Sequence, residues 1–172
     1  MIETFQCQKC GQTHKSGWPS LTYSSPYYFS VLSTEDQNKI AIIDTDFCVI
    51  KHEDQVHRFI RCVLKQKVID HCLELEYGLW VSLSEKSFQD YLDHYDDNHH
   101  EVTYFGWLAN FLPEYKNNNG SIPMTVYTQA GNSRPMLIPH ENHDHAFVYD
   151  FYHGITHQEA KRRIQNMLEG LA

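Results

Sequence analysis

No run of about eighteen apolar residues occurs in this chain, so no membrane-spanning helix is expected. Its opening, MIETFQCQKC, lacks a basic start and an apolar stretch of signal-peptide length. Basic charge is scarce as well. Fourteen Lys and Arg stand against 22 Asp and Glu, a formal net charge of -8. A field of that sign repels phosphate backbones and anionic lipid heads, which argues against general nucleic-acid or membrane binding. There is no internal repeat, no glycine-rich phosphate loop, and no G-x-S-x-G elbow around Ser133. The cysteines, Cys7, Cys10, Cys48, Cys62 and Cys72, are odd in number and follow no secretory signal. A disulfide framework is therefore a poor reading, and a reducing cytoplasm is the expected compartment.

Apolar material is not lacking. Hydrophobic residues make up 41% of the 172 and aromatics 13%, enough for a packed core. The length suits one domain, residues 1–172, with a C-x-x-C-G knuckle over 1–15 and an α+β body over 16–172. Twelve histidines make the charge responsive between roughly pH 5 and 8.

Periodicity places the elements. STEDQNKIA starts a short helix at Ser33, and DFCVI fits a buried strand. HRFIRCVLKQKV alternates, with Ile60, Cys62 and Leu64 on one side; Leu73, Leu75, Tyr77, Leu79, Val81 and Leu83 repeat the pattern. The period then changes. Phe88, Tyr91, Leu92 and Tyr95 follow helical spacing behind Ser84 as N-cap. PEYKNNNGSIP reads as a loop, MTVYTQ as a strand, and AGNSRP as a turn before MLI. Near the end, Thr156 and Glu159 form a capping box ahead of an apolar face through Ile164, Met167 and Leu168. Strands followed by separated helices predict α+β with a mainly antiparallel sheet, a few helices and an N-terminal zinc-knuckle-like element.

The chemistry begins at Cys7 and Cys10. A redox C-x-x-C sits between a strand and a helix start, where the dipole lowers a thiol pKa; this pair stands at residue 7 without that setting. The following Gly11 suits the tight turn of a zinc knuckle. A pair is half of a tetrahedral site, so a metal-free reading stays open. His14 and Cys48 are the candidates to complete a structural Zn site with Cys7 and Cys10. Cys62 and Cys72 read as core or surface residues.

PHENHDHAF offers a competing cluster. His140, His143 and His145, with Asp144 or Asp150, define the alternative function, a metal-dependent hydrolase. Its H-x2-H-x-H spacing matches no helical pairing and also fits a solvated loop. His52, His57, Asp97, His99 and His100 read as loop residues.

The C-x-x-C-G-x-x-H opening, DTDFCVI, RFIRCVL, YGLWVSLS, FGWL and the GIT helix start together resemble a bacterial family of unknown function, numbered 2199, over nearly the whole chain. The resemblance implies a small cytoplasmic bacterial protein and carries over no residue roles. From the residues themselves, the expected function is a non-enzymatic protein-binding module. Asp90, Asp93 and Asp97, with Glu85, Asp96 and Glu101, would form an acidic stripe that captures a basic protein partner, for instance a toxin to be neutralised. A solvated face that keeps the protein soluble reads equally from the same charges.

Overall fold

The computed structural model describes residues 4–7, 11–15, 17–116, 120–131 and 133–170. Alternating apolar residues build a long central hairpin from β6 (Val56–Gln66) and β7 (Leu75–Leu83), paired antiparallel from Phe59↔Ser82 to Gln66↔Leu75. The meander continues through β8 (Thr103–Leu108), β9 (Pro123–Gln129) and β10 (Ser133–Pro139). β10 then returns to β6 at Met136↔Val63, closing a five-stranded barrel.

A ring with an odd number of strands cannot alternate direction all the way round. One neighbouring pair must run parallel, and here it is β10 with β6. A second parallel pair joins β3 (Leu21–Thr22) to β7. The sheet is therefore mixed, where the sequence predicted a mainly antiparallel one. β5 (Phe47–Lys51) and β4 (Ala41–Ile43) extend it beyond β6, while β1 (Thr4–Gln6) and β2 (Thr13–Lys15) pair as a separate hairpin.

Ile60, Cys62, Leu64, Tyr77, Leu79, Val81, Met124, Val126 and Leu137 share one buried cluster, the main core. Burying one such large apolar side chain is worth about 1.5–3 kcal/mol. β7 is covered on both faces. Its Trp80 joins Cys48, Ile50, Phe59 and Ala109 in a second core and donates its indole N–H to the Tyr23 carbonyl at 3.0 Å. That core lies beneath α1 (Tyr27–Ser30) and α2 (Thr34–Ile40), through Phe29 and Ile40. β8 can approach β7 only because residue 106 is glycine: a Cβ there would stand 2.5 Å from the Ser82 carbonyl oxygen.

The helix starts follow the capping rules. α3 (Glu85–Asp93) begins at Ser84, whose hydroxyl accepts from the Ser87 N–H, and α5 (His157–Leu168) begins at Thr156, which accepts from the Glu159 N–H. α3 buries Phe88 and Tyr91, whereas Leu92, expected on the inner face, is 43% exposed. α4 (Ala146–His153) was not expected. Its cap is the His145 ring, which accepts the Phe147 N–H at 3.0 Å.

α3 covers one end of the barrel, where Phe88 meets Phe47 with ring centroids 5.9 Å apart. α4 and α5 cover the other. There the Gln66 amide donates to the Asp150 carbonyl at 2.6 Å, and Arg163, only 3% exposed, binds Asp150 at 2.9 Å and Glu159 at 2.7 Å. Arg163 also donates to the Tyr77 and Tyr115 hydroxyls, and Tyr115 donates to Asp150 at 2.6 Å. None of the described helices is long and apolar enough to cross a membrane.

Candidate metal and ligand cleft

One helical turn separates Asp90 from His94 on the flank of α3, so the two side chains neighbour each other. Beyond the helix the chain turns back. The Asp97 carboxylate accepts the His99 N–H at 2.9 Å, and Thr128 on β9 fastens the turn by donating its hydroxyl to the His100 carbonyl at 2.6 Å. That fold-back lays the His100 ring flat on His94, with centroids 3.9 Å apart and planes 6° from parallel. His100 Nε2 stands 2.9 Å from Asp90 Oδ2, which also accepts the Tyr104 hydroxyl at 2.6 Å.

The tautomer of His94 follows from its partner. Nδ1 lies 2.8 Å from the Asp90 carbonyl oxygen, which can only accept, so Nδ1 carries the hydrogen and Nε2 the lone pair. Metal-bound imidazoles commonly hold their second nitrogen in this way, donating to a backbone carbonyl. Hydrogen bonds from Tyr104, and next from His100, hold the Asp90 carboxyl below its ordinary pKa. Burial and the same bond to Asp90 push the Tyr104 phenol upward, so at neutral pH an anion faces a neutral donor.

One donor atom each from Asp90, His94 and His100 lies within 4.8 Å of the other two, the one such grouping of three among the described residues. Beside it opens a cavity of about 210 Å³, lined by Asp46, Tyr95, Thr128 and Arg134 together with the two imidazoles. Arg134 donates its Nε–H to Asp46 at 2.7 Å, and Tyr95 donates its hydroxyl to the other Asp46 oxygen at 3.1 Å. The cleft thus pairs a potential metal-ligand set with a guanidinium at its rim.

Of the residues expected to hold zinc, the side chains of Cys7 and Cys48 are among those described, and these two lie apart. Cys7 is buried, with Sγ 3.6 Å from Cys72 Sγ. Cys10 lies outside the described residues. His14 takes part in β2 opposite Phe5, but its side chain is likewise outside them. Cys48 belongs to the second core, where burial pushes its thiol up to about 12. It pairs with Phe59, seven residues along β6 from Gln66, a run of roughly 23 Å. Cys72 lies beyond Gln66, near the β7 end of that strand pair, so Cys48 packs as a small hydrophobe away from Cys7.

The three histidines of the hydrolase alternative are not brought together either. His140 bonds Thr125 Oγ1 at 3.1 Å beside Phe105, His145 caps α4, and the His143 ring stands 6.2 Å from that of His145. His143 and His145 stack along one cavity that His140 does not line. Of the acidic stripe, Asp93 accepts from Gln89 at 2.7 Å and Asp97 caps its turn, while Asp90 is drawn toward Tyr104 and His100. The i, i+4 spacing of Asp90 and His94 was the overlooked signal.

Fold and site together define a mixed α/β barrel protein with a histidine–carboxylate cleft at one mouth. The chain belongs to a family described as an uncharacterized protein conserved in bacteria (DUF2199), matched over residues 6–155. That span takes in the cleft and Cys7 but stops short of α5. Neither the curated proteins nor the solved structures yield a match.

Proposed function

We propose that this protein binds a small anionic ligand at a divalent transition metal held by Asp90, His94 and His100. The observation that carries the reading is the convergence of these three donors beside a cavity. Two donors about 2.1 Å from one ion, at angles between octahedral and tetrahedral, stand about 3.0–3.4 Å apart. The Asp90–His100 separation, 2.9 Å, lies at the short edge of that range. Two imidazoles and one carboxylate suit first-row metals and leave coordination positions open. A carboxylate or phosphate group would complete the ion's shell and pair with Arg134, whose Nε–H alone is taken by Asp46.

Binding would replace the proton between Asp90 and His100, so it should release protons and weaken as pH falls. Calorimetry with Zn, Co and Mn ions tests the reading. The wild type should bind, and Asp90→Asn and His100→Ala should lose binding. Arg134→Met should keep metal affinity and lose affinity of the loaded protein for inorganic phosphate or a small dicarboxylate. Equal metal binding by the wild type and Asp90→Asn would overturn the assignment.

A further inference from the structure

The connection between β6 and β7, residues 67–74, lies against the junction of α4 and α5. Ile69 N–H donates to the Ile155 carbonyl at 3.0 Å, and Asp70 accepts the His157 N–H at 2.6 Å. The rings of Trp18, His71 and His157 cluster there with centroids 4.6 to 5.4 Å apart, Trp18 stacked on His157 and His71 tilted against both. His71 is oriented by accepting the Leu73 N–H, and Cys72 sits between these two residues.

Onto this connection comes the N-terminal hairpin. Its strands, three residues each, pair only with one another among the described residues, and an isolated two-stranded hairpin is marginal in water. The chain between them leaves β1 at Cys7. Cys7 N–H donates to the Gln12 carbonyl at 2.8 Å, and Gly11 N–H donates back to the Cys7 carbonyl at 2.8 Å. Gly11 takes φ 70°, a left-handed turn that only glycine adopts without cost. The turn brings a buried Cys7 within reach of Cys72.

The sulfur separation is that of a thiol–thiol contact, too long for a disulfide and close enough for both sulfurs to share one ion. A disulfide holds its sulfurs about 2.05 Å apart. Two thiolates on one tetrahedral zinc, each about 2.3 Å from the ion, stand about 3.8 Å apart. Cys7 and Cys72 stand 3.6 Å apart.

We propose that Cys7 and Cys72 are two thiolate ligands of a structural zinc ion that clips the N-terminal hairpin to the β6–β7 connection. The ligand set differs from the one the sequence suggested: Cys72 takes the place of Cys48. The described residues add no third histidine, cysteine or carboxylate within 4.8 Å of both sulfurs. The site is independent of the cleft and shares no residue with it.

The test is elemental analysis of full-length protein purified with reductant and without chelator, carried out in the Asp90→Asn, His100→Ala background so that cleft metal does not contribute. About one equivalent of zinc is expected, retained by Cys48→Ser and lost in Cys7→Ser and Cys72→Ser. Because the serine variants can lose the hairpin's fold, cobalt is also loaded into otherwise unaltered protein. Thiolate-to-cobalt charge-transfer absorption, abolished by added zinc, supports the proposal. Full zinc content in Cys72→Ser would overturn it. So would zinc-free protein in which non-reducing peptide mapping finds Cys7 joined to Cys72 as a disulfide.

Discussion

Each end of the barrel is finished by an aspartate, a tyrosine and a nitrogen base. At the α4–α5 end, Asp150 accepts from Tyr115 at 2.6 Å and from Arg163 at 2.9 Å. At the α3 end, Asp90 accepts from Tyr104 at 2.6 Å and from His100 at 2.9 Å. The hydrogen-bond lengths are the same; the partners' chemistry and surroundings are not. Arg163 is 3% exposed, permanently charged and bonded to Asp150, Glu159, Tyr77 and Tyr115. His100 offers an imidazole nitrogen in place of a guanidinium, and its ring borders a cavity. A fixed charge sealed among acceptors holds elements together. A titratable base beside open space can exchange its proton for an ion.

Breaking the sealed end should have the largest effect. Arg163→Met removes the buried donor of two phenols and one of the two side-chain donors to the half-buried Asp150 carboxylate, at an expected cost of about 2–4 kcal/mol in urea unfolding. Asp90→Asn should shift the unfolding midpoint far less; equal losses would dissolve the distinction between the ends. Next comes the paired tyrosine comparison. Tyr115→Phe strips Asp150 and Arg163 of a shared hydroxyl and should cost about 1–3 kcal/mol. Tyr104→Phe should instead appear mainly as a rise of the Asp90 pKa toward its ordinary value, read by NMR titration, because that hydroxyl is the first cause of its depression.

Acid sharpens the contrast further. Glu159, held down first by its bond to Arg162 and then by Arg163, has a folded pKa below its unfolded one. Its contribution is therefore present above about pH 4.3 and is lost as pH falls through the depressed value. Glu159→Gln should flatten that acid limb of the stability curve. The smallest effect should come from Arg162→Ala, which removes a half-exposed ion pair worth about 0.2–1 kcal/mol.

Local signals were legible where local physics decides. Ser33, Ser84 and Thr156 each cap a helix as their side chains require, and the period-two runs of β6 and β7 are strands. α4 was missed because a histidine ring does the work of the usual hydroxyl or carboxylate cap, and because its aromatic-rich sequence has weak helix propensity. β8 hid behind Gly106, which reads as a break in isolation and is required by the close approach of β7. Barrel closure, and with it the parallel pair, depends on strand number rather than on any single segment. The cleft mixes residues that were read apart, Asp90 in an acidic stripe and His100 in a polar loop. Only the fold-back fastened by Thr128 joins them. Cys72 likewise gains meaning from the hairpin laid against it.

The odd strand count also bears on how the chain comes to be folded. β6 meets β7 across a short connection, but its pairing with β10 joins Val63 to Met136, more than about seventy positions apart. During synthesis from the N-terminus, a ribosome adding about 5–20 residues per second would hold the second edge of β6 unsatisfied beyond Ile60, where the pairing with β5 ends, until β10 emerged several seconds later. The nascent chain in that interval is an open sheet with an apolar face, the species on which a chaperone or a second nascent chain would act.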